Sequence, residues 1–299
     1  MENADSSSSP EKSDATGLNL VVGKMVAYWG RIENWLITFA LGAMMLLPLL
    51  EIVLRQFRSG ISGSAELLQH LVLFVAMLGG AIAARENRLL SLSTFTSFLK
   101  GPWKIAAQSV SSTVALFVTF TIGVGCYQFI NTEGIGGSAL FAGLPSWVFM
   151  SVMPIGFGLL AVRILWLSGD SWRLRLIPLV VGVALFMFCT YYFEAVESFV
   201  WPLLILLIIG TVAGAPLYVT IGGAALIMNW GWGGYFPEER VEIAINTQAQ
   251  TLYSFIRNPL LVTLPLFTLA GYFLAQGDSS KRLIRLIQSV FGGVRGGAV

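Results

Sequence analysis

Two carboxylate–base pairs stand at helical spacing in this chain. Glu51 and Arg55 lie four residues apart, and so do Glu66 and His70. On a helix each pair shares a face, and a carboxylate placed N-terminal to its cation is the favourable order. Charged groups inside an apolar run are costly, so each pair carries either structural or functional weight. For Glu51 and Arg55 the two readings are an ion pair that orients the helix against its neighbours, and a role in gating or partner contact. For Glu66 and His70 they are a helix-end hydrogen bond and a proton relay, since imidazole titrates near neutrality.

His70 is the single histidine, which excludes a multi-histidine metal site. Cys126 and Cys189 both sit in apolar runs and read as small buried hydrophobes, with no disulfide framework or metal cluster implied. No His-Glu-x-x-His, nucleophile elbow or phosphate-binding loop occurs. The sequence therefore offers no catalytic residue, no cofactor-binding residue and no metal ligand, and an intramembrane enzyme finds no support in it.

The elements that must position these pairs are set by hydropathy. Charged residues make up 11% of the 299 residues, against roughly 25% in an ordinary soluble domain. The net charge of +2 is too small to argue for nucleic acid. Residues 199–236 contain no charged side chain, and Gly214-Ala215-Pro216 interrupts them near the middle. At about 1.5 Å per residue one straight helix there would far exceed the roughly 30 Å hydrocarbon core. Two helices meeting at a Gly-x-Pro turn fit instead, because glycine frees the backbone and proline cannot continue the ladder.

Eight apolar segments result: 35–54, 67–84, 105–130, 144–167, 176–193, 198–213, 216–232 and 259–276. The fold class is all-α, a polytopic helical membrane protein of about eight transmembrane helices. With the N-terminus cytoplasmic, thirteen Lys and Arg residues fall on the inner side and four on the outer side, with Arg163 left inside span four. Merging the sixth and seventh spans would place the basic stretch after span eight outside. The stretch 238–257 mixes apolar Val241, Ile243, Ala244, Leu252, Phe255 and Ile256 with polar neighbours, as an interfacial segment or a bridging arm would. The tryptophans fall near span ends, where interfaces are expected.

Two stretches carry a family resemblance. Glu51-Ile-Val-Leu-Arg55, Glu66-Leu-Leu-Gln-His70, Leu78-Gly79-Gly80-Ala81 and Ala84-Arg85-Glu86 resemble the small membrane subunit, DctQ, of tripartite ATP-independent periplasmic (TRAP) transporters. Leu89-Leu90 stands where that family commonly has His-Ile. Gly214-Ala215-Pro216, Leu264-Pro265-Leu266-Phe267-Thr268-Leu269-Ala270-Gly271 and Gly292-Gly293-Val294-Arg295-Gly296-Gly297-Ala298 resemble the beginning of the large subunit, DctM.

The resemblance implies a cytoplasmic tail over 1–30, disordered by composition, a four-helix small permease domain over 31–170, a connecting helix over 171–196, and a truncated large permease domain over 197–299. It implies a multi-pass permease component of the bacterial inner membrane for small carboxylates such as C4-dicarboxylates. The implied partners are a periplasmic solute-binding protein, the remainder of the large subunit and lipid. Sodium is the implied coupling ion, with its ligands and the substrate-binding residues expected beyond Val299, so that residues 1–299 alone are expected not to transport. A membrane scaffold or interaction protein without transport activity is the alternative.

Overall fold

Apolar helices whose backbone groups are satisfied within the segment dominate the computed structural model. It describes residues 11–57, 59–61, 63–91, 98–134, 139–141, 144–169, 171–191, 193–232 and 240–291. Helix α1 spans Glu11–Gln56, α2 Ser64–Arg85 and α3 Pro102–Phe129, the last running into a π turn, Ile130–Gly134. A short antiparallel pair, β1 (Ala139–Phe141) and β2 (Leu144–Pro145), precedes α4 (Ser146–Met150) and α5 (Val152–Leu167). Then follow α6 (Trp172–Tyr191), α7 (Phe193–Val212), α8 (Leu217–Trp232), α9 (Arg240–Ile256), α10 (Pro259–Gln276) and α11 (Asp278–Phe291).

Among the described residues six helices are long and apolar enough to cross a membrane, and Phe199–Val212 and Leu217–Gly231 are two shorter apolar ones. Together they coincide with the eight segments read from hydropathy, and the protein is an all-α polytopic membrane protein. Helix α1 begins at Glu11, so residues 11–30 of the tail expected over 1–30 are helical. No proline falls between Pro10 and Pro48 to stop it.

The Gly-x-Pro turn has a specific geometry. Gly214 takes φ 99°, Ala215 N–H donates to the Gly210 carbonyl at 2.9 Å, and Gly214 N–H donates to that of Thr211 at 3.0 Å. This 6→1 and 5→2 pair closes α7 as a left-handed glycine cap, and Pro216 then starts the chain in its new direction. Helix α2 ends the same way. Asn87 at φ 52° bonds back to Ala84, and Arg88 N–H reaches the Ala83 carbonyl at 2.8 Å. At the other end of the spans, Asn258 caps α10 by accepting from Leu260 N–H at 3.0 Å, with Pro259 in the first helical position.

Helix α3 is the hub. It packs against α5, α6, α7, α8 and α9, and Val114 through Val118 are all buried in the shared core. Close approach is bought with glycine: a Cβ on Gly210 of α7 would lie 2.9 Å from Val114, and one on Gly223 of α8 2.9 Å from Val118. Where lipid removes the hydrophobic drive between helices, such backbone proximity supplies the packing attraction.

Candidate functional site: the seam around helix α3 and its charged and polar ends

Helix α2 packs against α1 and α5, and α8 against α7 and α9, while α5, α7, α8 and α9 each contact α3. Their seam is fastened at both ends. At the end where α2, α5 and α7 terminate, Leu217 N–H donates to the Leu90 carbonyl at 2.7 Å, and Ser91 pairs with Pro216 as an isolated antiparallel bridge. A main-chain clip thus ties the segment after α2 to the first turn of α8. Midway, the Tyr218 hydroxyl meets Thr119 Oγ1 of α3 at 2.8 Å.

At the opposite end α9 lies across α3. The backbone contact is close: a Cβ on Gly125 would come within 2.6 Å of the Ile245 carbonyl oxygen. Ala244, Ile245, Ala249, Tyr253 and Ile256 form the buried face of α9, whereas Ile243 and Phe255 stay exposed. The arm expected over 238–257 is therefore a docked helix from Arg240, and its seating face differs from the apolar positions legible in the sequence. Ala249 and Tyr253 belong to it, and the Tyr253 ring packs against Phe129 of α3 and His70 of α2. Residues 238–239 lie outside the described residues.

This docking brings His70 to Tyr253. His70 Nε2 lies 3.3 Å from the Tyr253 hydroxyl, and Phe149 and Tyr253 flank the imidazole at ring-centroid distances of 5.0 and 6.0 Å. Arg257 lies over the Tyr253 ring, 5.1 Å from its centroid. Burial pushes the Tyr253 phenol above the ordinary tyrosine range, opposed by the nearby Arg257 cation. It therefore stands as a neutral hydrogen-bonding group. His70 Nδ1 contacts the Glu66 main-chain carbonyl at 2.7 Å, so the 66–70 spacing yields a helix-backbone bond rather than a carboxylate–imidazole pair. Glu66 points to the exposed side of α2 while His70 is buried, which separates the two side chains.

Glu51 and Arg55 form an ion pair at 2.5 Å, and Ser64 Oγ at the start of α2 also donates to the Glu51 carboxylate. The pair thus anchors the α1–α2 connection, with Arg55 itself exposed. Gly214 and Pro216 shape the α7–α8 turn. Pro265 lies inside α10, and Gly271 of the same helix has open space where a side chain would go. Gly292, Gly293, Gly296 and Gly297 lie outside the described residues. Among the described residues no group of acidic, histidine or cysteine side chains is arranged to hold a metal ion.

One constellation escaped the reading by spacing. Glu33 of α1 is 3% exposed and is held between two arginines. Arg85 of α2 donates to it at 2.9 Å, and also to the Gly30 carbonyl and the Asn34 side-chain oxygen. Arg163 of α5 forms the second ion pair and donates to the Ala81 carbonyl of α2. Three helices are joined at one buried carboxylate. The signal lay in Arg163, a cation set inside an apolar span, which demands a partner there. Trp230 is a second departure, because it is buried against Phe117 rather than placed at an interface.

Comparison with known proteins yields two family matches. The model described as tripartite ATP-independent periplasmic transporters, DctQ component, matches residues 44–174, and that of the DctM component matches residues 200–299. The first stretch contains α2 to α5, the second α8 to α11 and most of α7. Over 160 residues the chain is 28% identical to the isethionate TRAP transporter permease protein DctMQ of Oleidesulfovibrio alaskensis. The alignment takes in 52% of this chain and 24% of that protein, so the chain spans about a quarter of its relative's length.

Proposed function

Because the chain belongs to the tripartite ATP-independent periplasmic transporter family, with DctQ and DctM sequence joined in one polypeptide, we propose that it is a membrane permease component of a secondary transporter for small organic anions. The observation that carries this reading is the seam. Helices matched by the DctQ and DctM models share α3 as a common packing partner and are clipped together by the Leu217–Leu90 main-chain bond. A rigid, lipid-embedded frame of this kind is what a moving transport unit needs to work against.

In this reading the substrate arrives on a periplasmic solute-binding protein, and an ion gradient, with sodium as the coupling ion, drives uptake. The N-terminus lies in the cytoplasm, which puts the ends of α2, α5 and α7 on the inner side of the membrane. The substrate class is a small carboxylate such as a C4-dicarboxylate. The name of the relative adds a small sulfonate to the panel to be tested.

The test is complementation. Cells lacking the gene, but retaining the binding protein and any further permease segment, are assayed for uptake of labelled succinate, malate and isethionate with and without a sodium gradient. Saturable, sodium-dependent uptake of one of them, restored by the chain, is the expected result. Uptake that is unchanged by loss of the chain would support a scaffold without a part in transport.

A further inference from the structure

Helices α5 and α6 both lie along α3 but touch each other little, which leaves a crevice between them. Two cavities follow one another along it. The first, about 130 Å³, is lined by apolar residues, among them Leu116, Val162, Leu165, Leu179 and Gly182. The second, about 220 Å³, shares Phe120 and Ala161 with the first and continues to Pro154 and Tyr127. Arg175 stands at the other end of this crevice. It lies four residues before Leu179 on the same face of α6, and its guanidinium stacks over Trp166 of α5, 4.6 Å from the ring centroid. Its Nε donates to the Gly169 carbonyl at 2.8 Å, and among the described residues no carboxylate pairs with it. The carbonyls at the end of α5 are already used: Leu165 accepts from Ser168, Leu167 from Gln108 and Gly169 from Arg175. The first turn of α6 holds Arg173 and Arg175 and no acidic residue, so two cations stand against the helix dipole there.

We propose that this crevice binds an anionic phospholipid, with one acyl chain along α3 and the phosphate on Arg175. The span of α6 begins at Leu174 and that of α5 ends at Leu167. Arg175 and Trp166 therefore sit at the depth of headgroups, and the two cavities lie within the hydrocarbon. Size decides between a chain and a helix as occupant. One turn of helix with its side chains fills roughly 400 Å³, more than either cavity offers. An acyl chain gains no hydrophobic energy by leaving the bilayer for the crevice, because lipid tails are as apolar as leucine. Selectivity therefore lies in the headgroup. With Nε engaged and the group held against Trp166, the remaining N–H donors of Arg175 match two phosphate oxygens. A zwitterionic headgroup brings its own cation up against the first turn of α6, whereas an anionic one does not.

The experiment uses the full chain in nanodiscs of equal parts phosphatidylglycerol, phosphatidylethanolamine and phosphatidylcholine. The protein is released into mild detergent and its retained lipid read by native mass spectrometry. Phosphatidylglycerol should be retained over the other two by about tenfold, the range of one charge-assisted hydrogen bond. Arg175→Gln should abolish that preference, and Arg175→Lys, which keeps the charge but not the planar fork, should keep only part of it. Gly158→Leu places a side chain in the second cavity, where a Cβ meets nothing within 4 Å, and should lower retention of all three lipids. Each variant is checked for unchanged monodispersity, and Gly158→Leu tests the crevice without altering any charge. Equal retention of the three lipids, a preference that survives Arg175→Gln, or retention untouched by Gly158→Leu would overturn the proposal. So would a stable dimer free of retained lipid, which would assign the crevice to a second copy of the chain.

Discussion

Removing the Glu33 carboxylate should cost more than any other single polar change among the described residues. Its side chain is 4% exposed, and those of its partners Arg163 and Arg85 are 12% and 23% exposed. In Glu33→Ala, Arg85 keeps the Gly30 carbonyl, the Asn34 side chain and Glu86 at 3.5 Å. Among the bonds seen here Arg163 keeps the Ala81 carbonyl alone. Most of the penalty therefore falls on Arg163, a charge left without its counter-ion inside a span. Breaking one side of a buried pair costs about 3–5 kcal/mol. Arg85→Ala should cost less, about 1–2 kcal/mol, because the more exposed cation has other partners and leaves Glu33 paired with Arg163.

The assay is equilibrium unfolding in mixed micelles of mild detergent and dodecyl sulfate, followed by tryptophan fluorescence and helicity. A double-mutant cycle with Glu33→Gln and Arg163→Met isolates the pair. The double variant should be less destabilised than the two single changes combined, by about 1 kcal/mol or more, since the second substitution removes the stranded charge. Strict additivity, with each single change below about 0.5 kcal/mol, would refute the triad as an energetic unit.

Four further outcomes follow from the packing of these helices. Gly125→Ala drives a Cβ into the Ile245 carbonyl and should destabilise the protein by about 1–3 kcal/mol, with faster amide exchange in α9 as the local readout. At Gly214, whose φ of 99° disfavours any side chain, alanine should cost about 1 kcal/mol in the same unfolding assay. Gly271→Ala in α10, with nothing within 4 Å, should instead be neutral or stabilise by up to about 1 kcal/mol. Tyr253→Phe removes the hydroxyl, with its 3.3 Å contact to His70, and should cost about 0.6 kcal/mol, whereas Tyr253→Ala opens the α9 groove at about 3–5 kcal/mol. Equal costs for the two would show that the hydroxyl, not the ring, seats α9.

Local chemistry along the chain determined the spans, the α7–α8 break and its cap. A charge-free run too long for one crossing must turn, and Gly214 followed by Pro216 supplies the left-handed residue and the helix stop that a turn requires. The Glu51–Arg55 contact was legible for the same reason, since residues four apart on a helix meet whatever surrounds them. His70 shows the limit of that rule: spacing brought it to Glu66, but tertiary packing decided that the bond goes to the carbonyl and that the other ring nitrogen faces Tyr253.

What only the tertiary structure decided involves partners far apart in sequence. Glu33 and Arg163 are 130 residues apart, and Leu90 and Leu217 are joined across more than a hundred. Counting basic residues by side of the membrane treats Arg163 as a remainder, because charge bias carries no information about which helices cross. Those crossings depend on how closely α3 admits its neighbours at Val114, Val118 and Gly125. That closeness is a property of two interlocking surfaces at once, and neither segment encodes it alone.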